Sequence, residues 1–163
     1  MSIMENAEIK RQIKEMLDKG IIRPSTSPCS SPIVLIPKKY GTWHMCVDFR
    51  ALNKITEKNR YPLPRIDYFL DQLKEANFFT KLDLRSGYHQ VRIAESDIWK
   101  TAFKTKQGLF EWLVIPFGLC NAPETFMHVM DNVVHPFIDD FVIVYLDYIL
   151  IFNKTREMGE RGA

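Results

Sequence analysis

One stretch of the sequence, residues 141–152, leaves few options for its fold. It reads FVIVYLDYILIF, two apolar runs rich in β-branched and aromatic residues on either side of Leu146 and Asp147. Runs of this length and composition are typical of buried strands rather than helices. Because only two residues separate the runs, the stretch predicts a tight antiparallel hairpin with Asp147 at its turn.

Asp147 is the only charged residue of this predicted hairpin. A carboxylate among apolar side chains is costly to bury unless it is paired, hydrogen-bonded or bound to a metal. An aspartate in a turn can instead cap the bend and stay hydrated. The hairpin alone leaves both interpretations open.

Length and composition are those of an ordinary globular chain. Its 163 residues, 46% hydrophobic and 26% charged, fit one domain or two closely merged subdomains with a real core. No apolar run approaches the roughly 20 residues that cross a membrane, and no secretory signal opens the chain, so we expect no membrane partner. The three cysteines, Cys29, Cys46 and Cys120, lack metal-ligand spacing. Such cysteines are typical of small, buried, reduced thiols in an intracellular protein. The sequence does not distinguish a cytoplasmic from a nuclear protein, and it leaves the oligomeric state unknown.

The charges are distributed unevenly along the chain. Residues 1–65 hold 12 Lys and Arg against 6 Asp and Glu, a net charge of +6, whereas residues 66–163 carry a net charge of −4. A basic front half and an acidic back half suit a polyanion partner and a cation site, respectively. Ordinary solvated surface charge explains the same pattern.

Helices and strands alternate along the chain in a mixed order. Spaced apolar residues predict a helix over 6–19 that ends at Gly20, and further helices over 65–76 and 122–138, the last capped by Asn121 and Glu124. A proline- and serine-rich extended stretch separates the first helix from a hairpin, IVLIP and WHMCVDF, with Lys38 and Lys39 at its tip. Strand character is also expected over 78–84, 88–93, 99–104 and 109–114.

Two aspartates end or turn apolar strands. Asp83 lies near the end of FFTKLDL, and Asp147 lies in the hairpin described above. If these strands are neighbours in one sheet, both carboxylates meet at one end of it. Paired carboxylates on a rigid sheet are hard oxygen ligands that suit magnesium, and two such ions can promote in-line phosphoryl transfer. Spacing alone does not establish that the strands are neighbours.

The longer motifs carry a family resemblance. In chain order they are GIIRPSTSPCSSPIVLIPKKYGTWHMCVDFRALNKIT, YPLPRID, KLDLRSGYHQVRI, KTAF, EWLVIPFGLCNAPETF and YLDYILIF. From about Gly20 to Phe152 the sequence resembles the fingers and palm of the reverse transcriptase of gypsy-type LTR retrotransposons. The resemblance implies an α/β (α+β) fold with an antiparallel palm sheet backed by two helices. It further implies an N-terminal helix over 1–19, a part of the fingers with the basic hairpin over 20–61, mainly palm with the remaining fingers segment over 62–152, and a frayed tail over 153–163.

The resemblance also implies roles for individual residues. Asp83 and Asp147 would be the catalytic, magnesium-binding aspartates, with two ions expected in the family. For the incoming deoxynucleotide triphosphate, the nucleotide-binding positions would be Lys38, Lys39, Tyr88, Phe117 and Gly118. Tyr88 would be the aromatic gate against a ribose 2′-hydroxyl. Without the resemblance, a packed aromatic of the sheet is the preferred interpretation of this tyrosine. The implied partners are an RNA or DNA template-primer and deoxynucleotide triphosphates.

Three features depart from the family pattern. The signature Tyr-x-Asp-Asp is here Tyr145-Leu146-Asp147-Tyr148, so a neutral phenol replaces a carboxylate. His44 stands where the family usually places an arginine, and a neutral imidazole cannot grip a phosphate with two prongs. The chain also stops soon after the hairpin, before the positions of a thumb and an RNase H domain. Together these departures predict a truncated reverse transcriptase whose catalysis is lost or very weak.

Three functions therefore remain to be distinguished. The first is RNA-directed DNA polymerase ancestry with little or no surviving activity. The second is a non-catalytic module whose basic fingers bind RNA or an RNA–DNA hybrid, and the third is an interaction remnant. Primer extension with magnesium would favour the first, and steep salt dependence of nucleic-acid binding would favour the second over the third.

Overall fold

The computed structural model describes residues 2–59, 62, 65–74, 76–83, 87–135, 142–145 and 148–153. The chain divides into two compact units, each built from two separate segments. The first unit comprises Met1–Glu57 and Tyr88–Ala122, and the second comprises Lys58–Gly87 and Pro123–Ala163. The middle of the chain thus folds with the N-terminal residues rather than with its immediate neighbours.

The first unit contains two helices, five strands and two short 3₁₀ segments among the described residues. In chain order they are α1 (Ile3–Asp18), β1 (Ile22–Pro24), β2 (Ile33–Pro37), β3 (Trp43–Val47), α2 (Arg50–Ile55), the 3₁₀ segments Gly87–Gln90 and Glu95–Thr101, β5 (Phe103–Thr105) and β6 (Gly108–Trp112). The second unit contains α3 (Ile66–Leu73), β4 (Phe78–Asp83), α4 (Ala122–Val134), β7 (Val142–Tyr145) and β8 (Tyr148–Asn153).

Helix α1 begins three residues earlier than the apolar spacing predicts. Ser2 and Glu5 form a capping box, in which each side chain accepts a hydrogen bond from the other residue's backbone N–H. Such a box satisfies two amides that have no partner inside the helix, and so fixes the start of α1. The predicted buried face is confirmed, because Ile9 and Ile13 are 2% and 3% exposed.

Two antiparallel sheets build the rest of the first unit. One has the strand order β1-β6-β5, and the other is the predicted hairpin of β2 and β3. The core combines the inner face of α1 with large side chains from both sheets. Its largest fully buried members include Phe49 and Phe103, which are 2% and 0% exposed. Pairing of β1 with β6, which joins the proline-rich stretch to residues near position 110, was not predicted.

The second unit is organised around an antiparallel sheet with the strand order β4-β8-β7. The predicted hairpin over 141–152 is observed as β7 and β8, whose register ends at the pair Tyr145 and Tyr148. Strand β8 is central, so it also pairs along its full length with β4. Its apolar composition fits the burial of both of its faces, because the successive residues Ile151 and Phe152 are 5% and 8% exposed.

Helix α4 packs on this sheet, as the apolar spacing predicts. Met127, 1% exposed, forms a core cluster with Val142 and Val144 of β7 and with Ile149 and Ile151 of β8. The mixed α/β fold and the antiparallel sheet backed by a helix are therefore confirmed. The apolar side chains of α3 at 66 and 69 lie outside the described residues, so its packing on the sheet stays a prediction.

Several local predictions are wrong. Residues 87–90 form a 3₁₀ segment rather than a strand, and beyond it only Arg92 makes an isolated bridge, to Val114. Residues 99–101 belong to the 3₁₀ segment Glu95–Thr101, where the Thr101 hydroxyl donates to Ile98 O and accepts from Trp112 N. Here side-chain contacts override the strand propensity of the sequence.

The boundaries of α4 and the burial of the cysteines differ as well. Helix α4 ends at Val134, and residues 136–138 of the predicted helix lie outside the described residues, as do Pro64 and the predicted tail from 154 onward. The three cysteines are free thiols, as predicted. Cys29 is exposed, however, because the proline- and serine-rich stretch carries it on the surface, while Cys46 and Cys120 are partly buried. No helix in the described part of the chain is long and apolar enough to span a membrane.

Candidate active site

The end of the second unit's sheet brings the predicted signature next to Asp83 along the backbone. Asp83 is the last residue of β4, and its direct partner across the ladder is Tyr148, the first residue of β8. The same Tyr148 is paired on its other side with Tyr145 of β7. Directly opposed residues in an antiparallel ladder have Cα atoms about 4.5–5.5 Å apart. The sheet thus aligns the backbone of Asp83 with Tyr148, the last residue of the signature.

The carboxylates themselves lie outside the described part of the chain. Leu146 and Asp147 are not among the described residues, and neither are the side chains of Asp83 and Tyr148. The predicted closeness of the two carboxylates therefore stays a prediction. Among the side chains that the structure does describe, no three His, Cys, Asp or Glu residues cluster as a metal site would.

The tip of the β2–β3 hairpin carries the predicted phosphate-contacting lysines. Lys38 and Lys39 are both exposed, directly after the last residue of β2. The turn is closed by a backbone hydrogen bond of 2.7 Å from Lys38 N to Thr42 O. Gly41, with φ +75°, allows this reversal because its backbone lies in the region that favours glycine. The two ammonium groups are thus presented on a short, hydrogen-bonded loop.

His44 lies next to this tip, on β3. Its cross-strand partner is Ile36, and both side chains are exposed. Neighbouring protein atoms remove part of the hydration of the imidazole and so lower the pKa of His44, and the positive charge of Lys38 lowers it further. Since the ordinary value is already 6.5, the imidazole is largely uncharged at neutral pH.

Three of the predicted nucleotide-binding residues lie together in the first unit. The rings of Tyr88 and Phe117 are 6.2 Å apart between centroids and tilted by 57°. Tyr88 is partly buried, whereas Phe117 is 75% exposed. Gly118 follows with φ +106°, and a Cβ added to it would lie 3.6 Å from the Phe49 ring. A turn at a positive φ therefore presents Phe117 to solvent beside Tyr88.

Sequence reasoning missed the residue that fixes this turn. Asn53 of α2 donates from Nδ2 to Gly118 O at 2.9 Å, and its Oδ1 accepts from Cys120 N at 2.9 Å. One side chain thus holds the backbone on both sides of Leu119. The only signal in the sequence is a polar residue in a short helix, and its partners are 65 and 67 positions away.

This arrangement of helices and sheets is that of the fingers and palm of a polymerase. The solved structure of the foamy viral protease-reverse transcriptase dRH in complex with double-stranded DNA superimposes with a TM-score of 0.81 at 26% sequence identity. The match covers 93% of the present chain and 26% of that chain. The predicted fingers-and-palm fold is therefore confirmed.

Sequence comparison then identifies the family. Residues 36–162 match the family model "Reverse transcriptase (RNA-dependent DNA polymerase)". The chain is 44% identical over 153 residues to the retrovirus-related Pol polyprotein from transposon 297 of Drosophila melanogaster. It is 55% identical over 109 residues to an RNA-directed DNA polymerase homolog of Oenothera berteroana, covering 67% of this chain and 77% of that protein. The chain belongs to the reverse transcriptase family and is related to the Pol polyproteins of LTR retrotransposons.

The transposon polyproteins are much longer than this chain. The match to the transposon 297 polyprotein covers 91% of the present sequence but only 14% of that polyprotein. The chain therefore corresponds to one domain of a much longer relative. The predicted resemblance to gypsy-type reverse transcriptases is confirmed at the level of this domain.

Proposed function

We propose that this reverse transcriptase domain has a metal-binding centre built on Asp83 and Asp147, with polymerase activity that is lost or very weak. The observation that carries the proposal is the ladder register of the second unit. That register opposes Asp83 to Tyr148, the residue directly after Asp147. It supports a centre at this end of the sheet with two carboxylates and, in the third position, a phenol.

The donor set of this centre suits magnesium only in part. Carboxylate oxygens are hard ligands that magnesium prefers, and Asp83 and Asp147 supply two of them. The Tyr148 hydroxyl is neutral near pH 7 and is a poor ligand for a hard cation. Bound magnesium would activate the primer hydroxyl and stabilise the leaving pyrophosphate. With one anionic group fewer, Asp83 and Asp147 would hold it more weakly.

His44 adds a second deficit on the substrate side. A guanidinium can donate two parallel hydrogen bonds to a phosphate, and it keeps its charge at all relevant pH values. The His44 imidazole is largely neutral at pH 7 because partial desolvation and the charge of Lys38 both lower its pKa. Lys38 and Lys39 would remain the charged groups that bind the triphosphate, as point charges on an exposed turn.

We assign the remaining contacts with the nucleotide to Tyr88, Phe117 and Gly118 of the first unit. Tyr88 would restrict the sugar to a deoxyribose, because its ring would clash with a ribose 2′-hydroxyl. Phe117 and Gly118 would line the same pocket. The ring contact between Tyr88 and Phe117 supports a shared surface, and the exposure of Phe117 leaves that surface open to a substrate.

Primer extension on the purified chain tests this proposal. We expect no magnesium-dependent extension by the unaltered chain on an RNA or DNA template. Tyr148→Asp alone should leave extension near background, because His44 still cannot bind a phosphate as an arginine would. Tyr148→Asp with His44→Arg should be the most active of the set. Misplacement of reacting groups by about 1 Å can cost roughly 100-fold in rate, so extension by the double variant should still be slow and is best followed in single-turnover assays.

A metal-binding measurement distinguishes weak metal binding from poor positioning of the substrate as the cause of low activity. Binding of Mn²⁺, followed by electron paramagnetic resonance, should strengthen in Tyr148→Asp and weaken in Asp83→Asn. Asp71→Asn, which alters an exposed carboxylate on α3, is the matched control and should bind as the unaltered chain does. Clear magnesium-dependent extension by the unaltered chain would contradict the loss of activity. Equal extension by Tyr148→Asp and by the double variant would show that His44 does not contribute to the loss of activity.

A second candidate function is non-catalytic binding of nucleic acid. The +6 charge of residues 1–65 and the exposed Lys38 and Lys39 favour it. An RNA–DNA hybrid or duplex held by these lysines should dissociate steeply with salt. Lys38→Ala with Lys39→Ala should reduce the slope of log affinity against log salt by about 0.9 for each phosphate that the lysines neutralise. Lys10→Ala with Lys14→Ala, on the exposed face of α1, is the matched control.

A further inference from the structure

A cavity of about 240 Å³, open to solvent on one side, is formed by residues of the first unit and does not include Tyr88 or Phe117. Helix α2 forms one wall, the 3₁₀ segment Glu95–Thr101 forms another, and the chain after Gly118 forms the third. The lining residues include Leu52, Asn53, Thr56, Lys100, Leu119 and Cys120. All of them belong to the same compact unit.

The polar side chains of the wall already have partners in the protein. Asn53 bonds to the backbone on both sides of Leu119, and the Thr56 hydroxyl donates to Leu52 O at 2.7 Å. Lys100 forms an ion pair of 2.7 Å with Asp97. Because these groups are satisfied, an occupant would meet mainly carbon surface and would need few hydrogen bonds of its own.

Volume and lining together limit the size and the polarity of an occupant. An apolar protein cavity of about 150 Å³ accommodates benzene, so a cavity near 240 Å³ has room for a fused or substituted aromatic ring. We propose that this cavity binds a small, uncharged aromatic molecule of about the size of indole. The proposal is independent of whether the domain polymerises DNA.

Cys120 places a chemical reporter in the cavity wall. Its thiol is partly buried, and Sγ donates a long hydrogen bond of 3.7 Å to Asn121 Oδ1. The other two cysteines lie elsewhere, since Cys29 lines a separate surface pocket and Cys46 lies on β3. An electrophile carried by a bound aromatic ring would therefore be delivered to Cys120 and to neither of the others.

The occupant would also touch the turn that presents Phe117. Leu119 and Cys120 line the cavity, and Asn53 ties the backbone of Cys120 to that of Gly118. A ligand packed against these residues would stiffen the turn, because it would immobilise the segment that follows Gly118. The cavity thus offers a way to influence the exposed Phe117 without occupying its surface.

Competitive alkylation tests the site on the unaltered chain. 2-Chloro-N-phenylacetamide carries an aromatic ring, and 2-chloroacetamide lacks it. In both, the cysteine sulfur forms a bond to the CH₂ carbon as the C–Cl bond breaks, chloride leaves, and the thiol proton passes to water. Peptide mass spectrometry then gives a separate rate for each cysteine. The ratio of the two reagents' rates at each thiol removes differences in intrinsic reactivity.

We expect the ring to raise the rate at Cys120 about tenfold relative to its effect at Cys29, because binding holds the electrophile beside the thiol. The rate at Cys120 should saturate with reagent, and free indole should slow it while leaving Cys29 unaffected. Leu52→Phe, which adds volume to the wall, should abolish the ring effect. Ile55→Phe, on the same helix but 82% exposed and outside the lining, should preserve it.

The opposite results would overturn the inference. Equal ring effects at Cys120 and Cys29, or no protection by indole, would mean that the cavity does not recognise an aromatic ring. Both measurements use the unaltered chain, so they remain decisive even if Leu52→Phe fails to fold.

Discussion

Phe103→Ala should be among the most destabilising single substitutions in the first unit. The Phe103 side chain is 0% exposed, and its ring lies 5.9 Å from that of Phe110 and 5.8 Å from that of Trp112, between centroids. Replacement by alanine removes both ring contacts and leaves a cavity in the middle of the core.

The magnitude follows from these contacts. Phe→Ala changes in cores cost about 3–5 kcal/mol, and aromatic pairs contribute about 0.5–1.5 kcal/mol each beyond the area they bury. With full burial and two ring neighbours, we expect the upper part of that range, about 4–5 kcal/mol. At a typical urea dependence of about 2 kcal/mol per M, the unfolding midpoint should fall by roughly 2 M.

Tryptophan fluorescence is the assay of choice for this variant. All three tryptophans, Trp43, Trp99 and Trp112, belong to the first unit, so their emission reports unfolding of that unit alone. Trp112 is 6% exposed and touches the Phe103 ring, so its emission should also shift in the folded variant.

Phe117→Ala is the matched control, because this phenylalanine is in the same unit but 75% exposed. It should change the free energy of unfolding by less than about 0.5–1 kcal/mol. A loss below about 1 kcal/mol for Phe103→Ala would refute the reasoning, since no closely packed core residue of this size is that dispensable.

Three further predictions concern single sites. Met127→Ala, at 1% exposure in the second unit, should lower the free energy of unfolding by about 2–4 kcal/mol, as followed by far-UV circular dichroism. An equal shift of the unfolding midpoint seen by tryptophan emission, which reports the first unit, would show that the units unfold together. Hydrogen bonds from Arg11 and then Gln12 lower the pKa of Glu8 from 4.5 to about 2, so its contribution to stability should be complete above pH 4.5 and disappear as the pH falls toward 2. Glu8→Gln should flatten the melting temperature across that window, and an unchanged slope would contradict this. Gly118→Ala should cost about 1–3 kcal/mol because φ is +106°, even though the added Cβ has room, and a neutral result in urea unfolding would mean that the turn relaxes freely.

The elements that could be predicted from the sequence are those with long, one-sided apolar patterns. The β7–β8 hairpin and α4 follow from runs in which nearly every buried position is marked by its residue type. The turn at Gly41 follows from the glycine itself. In these segments local preference and tertiary burial point the same way, so the pattern was sufficient.

Other features depend on partners far along the chain. Strand β1 has only three residues, ends in Pro24, and is a strand because β6 lies beside it. The segment after Gly87 has strand-like composition but turns as 3₁₀, with its rings against Phe117 and Trp112. The role of Asn53 likewise depends on residues more than 60 positions away. The proposed site residues came from the family resemblance, and their roles stay predictions until the assays above are done.

The interleaving of the two units also has a consequence for how the chain folds during synthesis. Strand β4 pairs with β8, whose residues lie 65 to 75 positions further along the chain. The first unit has all its segments once Ala122 has been made, whereas the sheet of the second unit must wait for β8. Until then, apolar residues such as Phe78 and Phe79 have no cross-strand partner, and exposed strand edges favour aggregation and chaperone binding. Long-range pairing of this kind is slow, so the unit that carries Asp83 and Asp147 should be the last to form.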